Sequence, residues 1–293
     1  MIRNPKRGIP SLFVASILYG LYGILSRLIG DSFGNFNQAW IRNILVAILI
    51  AIVITIRRAE LASIKRKDIR WLLIWLLAGS LPAVLTFIVF NNLAIGTTYL
   101  IAYSGMIAAG FISGRIFFDE RLDTRKWVSL ICTLIGLYII YRFTIDPNKI
   151  VYMLLGLLSG VMTGVWNTIS KKFSDNYPNN QLVLMDALSS ATAAYIGALL
   201  FHEYLPHTIL NISWIWIGIY AIIQTINVGL VVYGFKHIEA QIGSIILPIE
   251  IVFATIFSYL IFREVPTLFT FGGGAFIIFG AVFPSLNTFT KKQ

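Results

Sequence analysis

The chain has 293 residues, 57% of them hydrophobic and only 12% charged, with a formal net charge of +10. A soluble domain carries about 25% charged residues, so this chain lacks the side chains to coat a water-exposed surface. A nucleic-acid reader is excluded as well, because it needs a basic groove with interleaved aromatics on a folded soluble part, and the sequence offers none.

The apolar residues fall into long blocks separated by short polar ones. At about 1.5 Å rise per residue, a block of roughly 20 crosses a bilayer core of about 30 Å. The blocks predict ten membrane-spanning helices, at about 9–28, 38–56, 70–91, 96–117, 126–143, 151–171, 182–200, 213–235, 241–262 and 268–286. They are continuous rather than alternating, which argues against an outer-membrane barrel. The first follows Arg3, Lys6 and Arg7 without a small-residue cleavage site, so it is expected to be retained. The longest connection, near 57–69, is short and basic. The fold class that follows is an all-α polytopic membrane protein.

Charge predicts the orientation. With the N-terminus inside, the inner loops collect Arg3, Lys6, Arg7, Arg57, Arg58, Lys65, Arg66, Lys67, Arg70, Arg115, Arg121, Arg125, Lys126, Lys171, Lys172, Lys236, Lys291 and Lys292. The outer side keeps Arg27, Arg142, Lys149 and Arg263. The positive-inside rule then places both termini in the cytoplasm, most naturally across a prokaryotic plasma (inner) membrane, and topology accounts for the basic net charge.

Enzyme chemistry finds no foothold. There is no HExxH, nucleophile elbow or phosphate-cradling loop. His202, His207 and His237 lie at loops or span ends, and the single cysteine, Cys132, sits inside a span. No catalytic residue, metal ligand or cofactor is expected.

The chain also repeats itself. "IFFDERL" (Ile116–Leu122) resembles "LIFREVP" (Leu260–Pro266), and Glu120 and Glu264 stand 144 positions apart. The same ungapped offset carries Gly20 to Gly164, Ser26 to Ser170, Asp31 to Asp175, Asn35 to Asn179, Ala47 to Ala191, Val84 to Val228, Phe118 to Phe262 and Gly136 to Gly280. Tyr22 meets Trp166, and Arg27 meets Lys171. Two halves are predicted, 1–146 and 147–293, each with five spans. Because five is odd, the second copy enters the membrane from the opposite side, the inverted-repeat plan of many transporters, whose site lies near the midplane between the halves.

Ten spans in two halves, each closing its fourth span with a glutamate ("FFDERL" and "IFREVP"), resemble the EamA-type transporters of the drug/metabolite transporter superfamily. Pro248, Glu264 and the glycine-rich "FGGGAFIIFGAVF" of the second half match the pattern well. The first half has Ser104 where the family usually has proline. The resemblance implies a carrier with two five-helix halves and leaves the substrate open.

Glu250 is the candidate centre. A charged carboxylate mid-span costs roughly 2.5–3.5 kcal/mol on insertion scales and faces a bundle interior or a wet cavity. The competing structural reading is a protonated glutamate bonded to a neighbouring helix. On the fourth span Tyr99, Tyr103 and Met106 follow i, i+4, i+7 spacing and share one face; the offset relates Met106 to Glu250. If the halves are symmetric, that face meets Glu250, and the pair would suit a cationic or amino group by charge pairing and cation–π contact. Plain helix packing is the alternative. Gln224, Asn227 and Asn167, with Tyr19 and Trp166, supply further candidate substrate contacts, although amides inside membranes also simply join helices. Arg42 reads as snorkelling from one surface, and Asp186 as solvated near the other. Glu120 and Glu264 read as ion pairs or caps closing loops. The glycines of the tenth span allow close packing inside the fold or against a second copy, so a homodimer is compatible.

The function these readings predict is secondary transport of a small polar metabolite, an amino or cationic compound, by alternating access, with Glu250 as substrate or proton carrier. Its partners are that small molecule and the lipid bilayer. The alternatives are a multidrug exporter of the same fold and, behind it, a channel or a sensor.

Overall fold

The protein is described by a computed structural model covering residues 4–141, 147–203, 205 and 211–284. Arg3, Arg142, His207, Lys291 and Lys292 lie outside the described residues, as do positions 142–143 and 285–286 at the ends of the fifth and tenth expected spans.

Every regular element among the described residues is helical. The first half comprises α1 (Pro5–Ile29), α2 (Asn35–Ile56), α3 (Ile69–Phe90), α4 (Ile95–Phe118) and α5 (Thr124–Tyr141). The second comprises α6 (Ile150–Ile169), α7 (Asn179–Leu200), α8 (Ile212–His237), the pair α9 (Ala240–Ile246) and α10 (Glu250–Phe262), and α11 (Leu268–Val282). Among the described residues, nine spans, with α9 and α10 counted as one, are long and apolar enough to cross a membrane. The tenth expected span is shorter: α11 has 15 residues, reaching roughly 22 Å. Large apolar side chains such as Ile48, Ile52, Leu73, Leu77, Ile112 and Ile116 face outward, while Asn43, Asn167, Asp186, Gln224 and Asn227 are buried. That arrangement suits a hydrocarbon solvent, where backbone polar groups must be satisfied within each helix.

Contacts at the helix ends show how the elements run. At one end, the Asn4 N–H donates to the His237 carbonyl (3.1 Å), Lys65 N–H donates to the Tyr177 hydroxyl (3.0 Å), and Lys236 pairs with Asp175 (3.0 Å). Lys126 pairs with Glu239 at the same end. The described basic residues expected inside are gathered here. At the opposite end Ser213 Oγ donates to the Ile29 carbonyl (2.7 Å), Glu203 receives the N–H groups of Phe36 (3.1 Å) and Asn37 (2.8 Å), and Arg27 pairs with Glu264. The first helix of each half therefore runs opposite to the other. These first helices are also exchanged: α1 packs chiefly on α8 and α10, while α6 packs on α3 and α4. The 144-residue offset converts one set of contacts into the other.

One difference from the sequence reading arises in the backbone of these paired spans. The span expected as a single helix over 241–262 is broken at Leu247–Ile249 by a turn of 3-10 helix. Pro248 has no N–H to return to the preceding turn, and the Glu250 N–H closes on the Leu247 and Pro248 carbonyls instead. The Ile246 carbonyl is thereby released, and Ser16 Oγ reaches it at 3.3 Å. In α4, Ser104 stands at the position related to Pro248. That helix continues unbroken, with Ser104 Oγ donating to the Leu100 carbonyl at 2.7 Å.

Of the α11 glycines, Gly273 and Gly280 pack closely within the fold, while Gly272 is exposed. A Cβ on Gly273 would stand 2.5 Å from the Gly136 carbonyl oxygen, so α11 and its repeat partner α5 cross with backbones nearly in contact.

Candidate functional site

The broken span sets the position of the expected centre. Pro248 ends the straight run, and Glu250 opens α10, its side chain turned inward between the halves. Its Oε1 accepts from the Tyr103 hydroxyl of α4. The three-residue stripe on α4 faces the same space. Tyr99 and Tyr103 stack with ring centres 6.1 Å apart, and Tyr141 extends the stack from Tyr99 at 6.2 Å.

These residues wall a cavity of about 200 Å³ drawn from five spans. Glu250 and Leu247 come from the broken span, Tyr99, Tyr103 and Met106 from α4, Tyr19 from α1, Thr86 and Phe90 from α3, and Ser159, Thr163 and Asn167 from α6. Six of the expected site residues thus share one wall: Glu250, Tyr99, Tyr103, Met106, Asn167 and Tyr19. Asn167 is buried, and its Oδ1 has no hydrogen-bond partner. Thr86 and Ser159, bonded to each other at 2.7 Å, were not singled out in the sequence. Isolated hydroxyls in apolar helices carry no signal of direction.

A second cavity of about 190 Å³ adjoins the first and shares Tyr19 and Thr163 with it. Trp166 and Gln224 line this one, together with Tyr22, Asn43, Arg42 and Asp186. The last two are corrections. Asp186 is 6% exposed, not solvated at a helix end, and receives the Trp166 indole N–H at 2.7 Å. Arg42 does not simply snorkel to the surface: its guanidinium lies 4.0 Å over the Tyr220 ring, inside the bundle, and its Nε is buried without a partner. Gln224 Nε2 donates to Asn43 Oδ1 (2.8 Å), while Gln224 Oε1 is buried and unpartnered. Asn227 lines neither cavity. It is fully buried between helices and donates to the Tyr22 hydroxyl at 3.1 Å, so the helix-joining reading describes it.

Larger hollows lie away from this chemistry. One of about 830 Å³ sits among loops at the basic end, and others of about 570 and 640 Å³ are apolar grooves on the outer faces of α10 and α11.

Glu120 and Glu264 close the two ends. Glu120, fully buried, accepts from Lys171 Nζ (2.7 Å) and from the Ala240 (2.8 Å) and Gln241 (3.1 Å) backbone N–H groups, which caps α9. Glu264 accepts from Arg27 and from the Ser258 hydroxyl. The offset that relates Glu120 to Glu264 also relates Lys171 to Arg27. The two ion pairs are therefore the same contact in two copies. Side-chain exposures are 1% and 0% for Lys171–Glu120, against 57% and 51% for Arg27–Glu264.

A helical bundle of membrane-crossing length, made of two related halves around a polar interior, defines the class: an integral membrane transporter. The EamA-like transporter family matches the chain twice, over residues 6–142 and 150–286, and the protein belongs to that family. An uncharacterized transporter of Helicobacter pylori is 19% identical over 83% of this chain and 81% of its own. The pseudopaline exporter CntI of Pseudomonas aeruginosa is 22% identical over 94% of this chain and 95% of its own. A chain from a solved crystal structure superposes with a TM-score of 0.80, covering 97% of this chain and 99% of that one; at 14% identity it speaks for the fold alone.

Proposed function

We propose that the protein is a secondary active transporter moving a small polar metabolite, an amino or cationic compound, by alternating access. The observation that carries this is the cavity built from both halves, with Glu250 set against Tyr103 and the stacked tyrosines. A carboxylate facing an aromatic wall, away from bulk water, holds an ammonium group by charge and by the ring quadrupole. Glu250 either holds that group directly or exchanges it for a proton. Asn167 and Tyr19 orient the polar remainder. The kinship with a named exporter favours outward movement.

The repeat supports the cycle. Lys171–Glu120, buried, seals the basic end in this conformation. Arg27–Glu264 is the corresponding contact at the opposite end, exposed here and closed in the reciprocal state. The basic end faces the cytoplasm of a prokaryotic cell, so that both termini lie inside.

The test is uptake or counterflow by purified protein in liposomes. The wild type gives saturable transport of an amino compound, and Glu250→Gln reduces it at least tenfold or removes its dependence on a proton gradient. Unchanged transport by that variant would return Glu250 to a structural role. A steady ionic current would point to a channel instead.

A further inference from the structure

We infer that the second cavity is an anion subsite: Arg42 takes the carboxylate of a substrate whose amine is held at Glu250, which makes the substrate an aminocarboxylate. The inference deepens the function proposed above and rests on its assignment of Glu250.

Arg42 stands two turns inside α2 in an apolar bundle, with no carboxylate bonded to it among the described residues. Its only described partner is the face of Tyr220, at 4.0 Å. A cation–π contact uses the flat of the guanidinium and leaves its edge donors unspent. Nε is one of these, buried and without a partner. A buried donor left unmade costs about 1–3 kcal/mol, more when charged; Arg42 as a whole is half-buried, and Nε is its buried, unpartnered donor. Asp186 lines the same cavity, yet its Oδ1 is engaged by the Trp166 indole and no ion pair joins it to Arg42 among the described residues. The arginine is therefore held ready by an aromatic ring and is still short of an anion.

Carboxylate is the anion that fits. The guanidinium edge offers parallel N–H donors that match two carboxylate oxygens. The cavity of about 190 Å³ meets the Glu250 cavity of about 200 Å³ at Tyr19 and Thr163, so one small molecule can extend into both. With an acid at one end of that combined space and a base at the other, the chamber complements a ligand carrying ammonium and carboxylate together. A plain amine leaves Arg42 unpaired, and a plain acid leaves Glu250 unpaired.

The experiment compares binding by purified full-length protein of three matched pairs that differ by one carboxylate: phenylalanine and phenethylamine, lysine and cadaverine, alanine and ethylamine. The proposal expects the amino acid of at least one pair to bind roughly tenfold or more tightly than its amine, the return of a hydrogen-bonded charge pair. Arg42→Gln should abolish that ratio while leaving the amine affinity within about twofold. Arg42→Lys, which keeps the charge and loses the fork, should shrink the ratio, and it stands in if Arg42→Gln does not fold. Glu250→Gln should weaken both members of the pair. An amino acid to amine ratio unaffected by either Arg42 variant overturns the proposal, as does a wild type that binds amines as well as amino acids. If Glu250→Gln changes nothing while the Arg42 variants abolish the ratio, the assignment of Glu250 fails and Arg42 remains an anion site. Binding of neither member of any pair overturns both.

Discussion

Glu250 and Tyr103 show what a membrane does to a single polar residue. In hydrocarbon each would be costly alone, by roughly 2.5–3.5 kcal/mol for the charged acid; placed on facing helices, the hydroxyl donates to the carboxylate and both are accommodated. Tyr103→Phe keeps the ring and its stack on Tyr99 while removing that donor. A hydrogen bond to a charged group contributes about 1.5–3 kcal/mol, so this variant is expected to fold and to alter the transport affinity for an amino substrate about tenfold, read from the concentration dependence of uptake. An unaltered affinity would show that the bond plays no part in binding. Asp186 is a buried acid of the adjoining cavity. Its bond to Trp166 makes the indole a positioning group for a carboxylate, which explains a tryptophan whose N–H would otherwise be unpaired inside the bundle. In the sequence, Trp166 stood out as the repeat partner of Tyr22 and as a candidate substrate contact, with nothing to tie it to Asp186.

At the scale of the helix, two positions show the halves solving one problem in different ways. Ser16 and Gly160 are related by the 144 offset, as are the carbonyls they face, Ile246 and Ala102. Where α6 crosses the unbroken α4, a Cβ on Gly160 would stand 2.0 Å from the Ala102 carbonyl oxygen, so only glycine permits the approach. Where α1 crosses the broken span, the Ile246 carbonyl has lost its intrahelical donor, and the serine hydroxyl, which donates to the Leu12 carbonyl at 2.9 Å, shares its proton with Ile246 at 3.3 Å. Ser16→Ala should remove that shared contact and lower stability by about 1 kcal/mol. Gly160→Ala should cost at least as much, since backbone meets backbone and neither can retreat. Unfolding in detergent measures both. Pro248→Ala restores the donor that proline lacks, so it should leave stability equal or raised, and a loss of transport would show that the 3-10 turn beside Glu250 serves the cycle.

For the whole molecule, one conformation displays both versions of a single latch. Lys171→Met removes the cation from the sealed end and should shift the population toward a state open there. With Cys132→Ser as background and a reporter cysteine at Met106, labelling by a membrane-impermeant thiol reagent from the basic side should rise several-fold. Labelling that stays equal on both sides would show that Lys171–Glu120 is a rigid joint. The exposed latch has its own signature. Glu264 is held below the usual glutamate range, first by the Ser258 hydroxyl and then by Arg27. A carboxyl with a depressed folded-state value contributes stability that is fully present above its ordinary value, about 4.3, and that fades as pH falls through the lower folded value. The melting-temperature difference between wild type and Glu264→Gln should therefore be constant from neutral pH to about 5 and vanish in stronger acid.

Much of this was legible in the chain. Lengths of apolar block against bilayer thickness, the side on which basic residues gather and the offset between two glutamates are properties of order along the sequence, and they determined the helical class, the duplication and the face shared by Tyr99, Tyr103 and Met106. What packs against what is decided by the exchange of α1 and α6 between halves, and no local pattern encodes it. Arg42 and Asp186 read as surface residues because each lies within a few turns of a helix end; only the meeting of α2, α3, α7 and α8 around one cavity made them interior. For Asn227 the sequence left lining and helix-joining both open, since 3.6-residue periodicity assigns a helix face but not the partner that the face meets, and the fold buries it against Tyr22. A membrane enforces the number and length of helices through the cost of bare backbone in oil, whereas the direction in which a buried polar side chain points is settled by the one neighbour able to satisfy it.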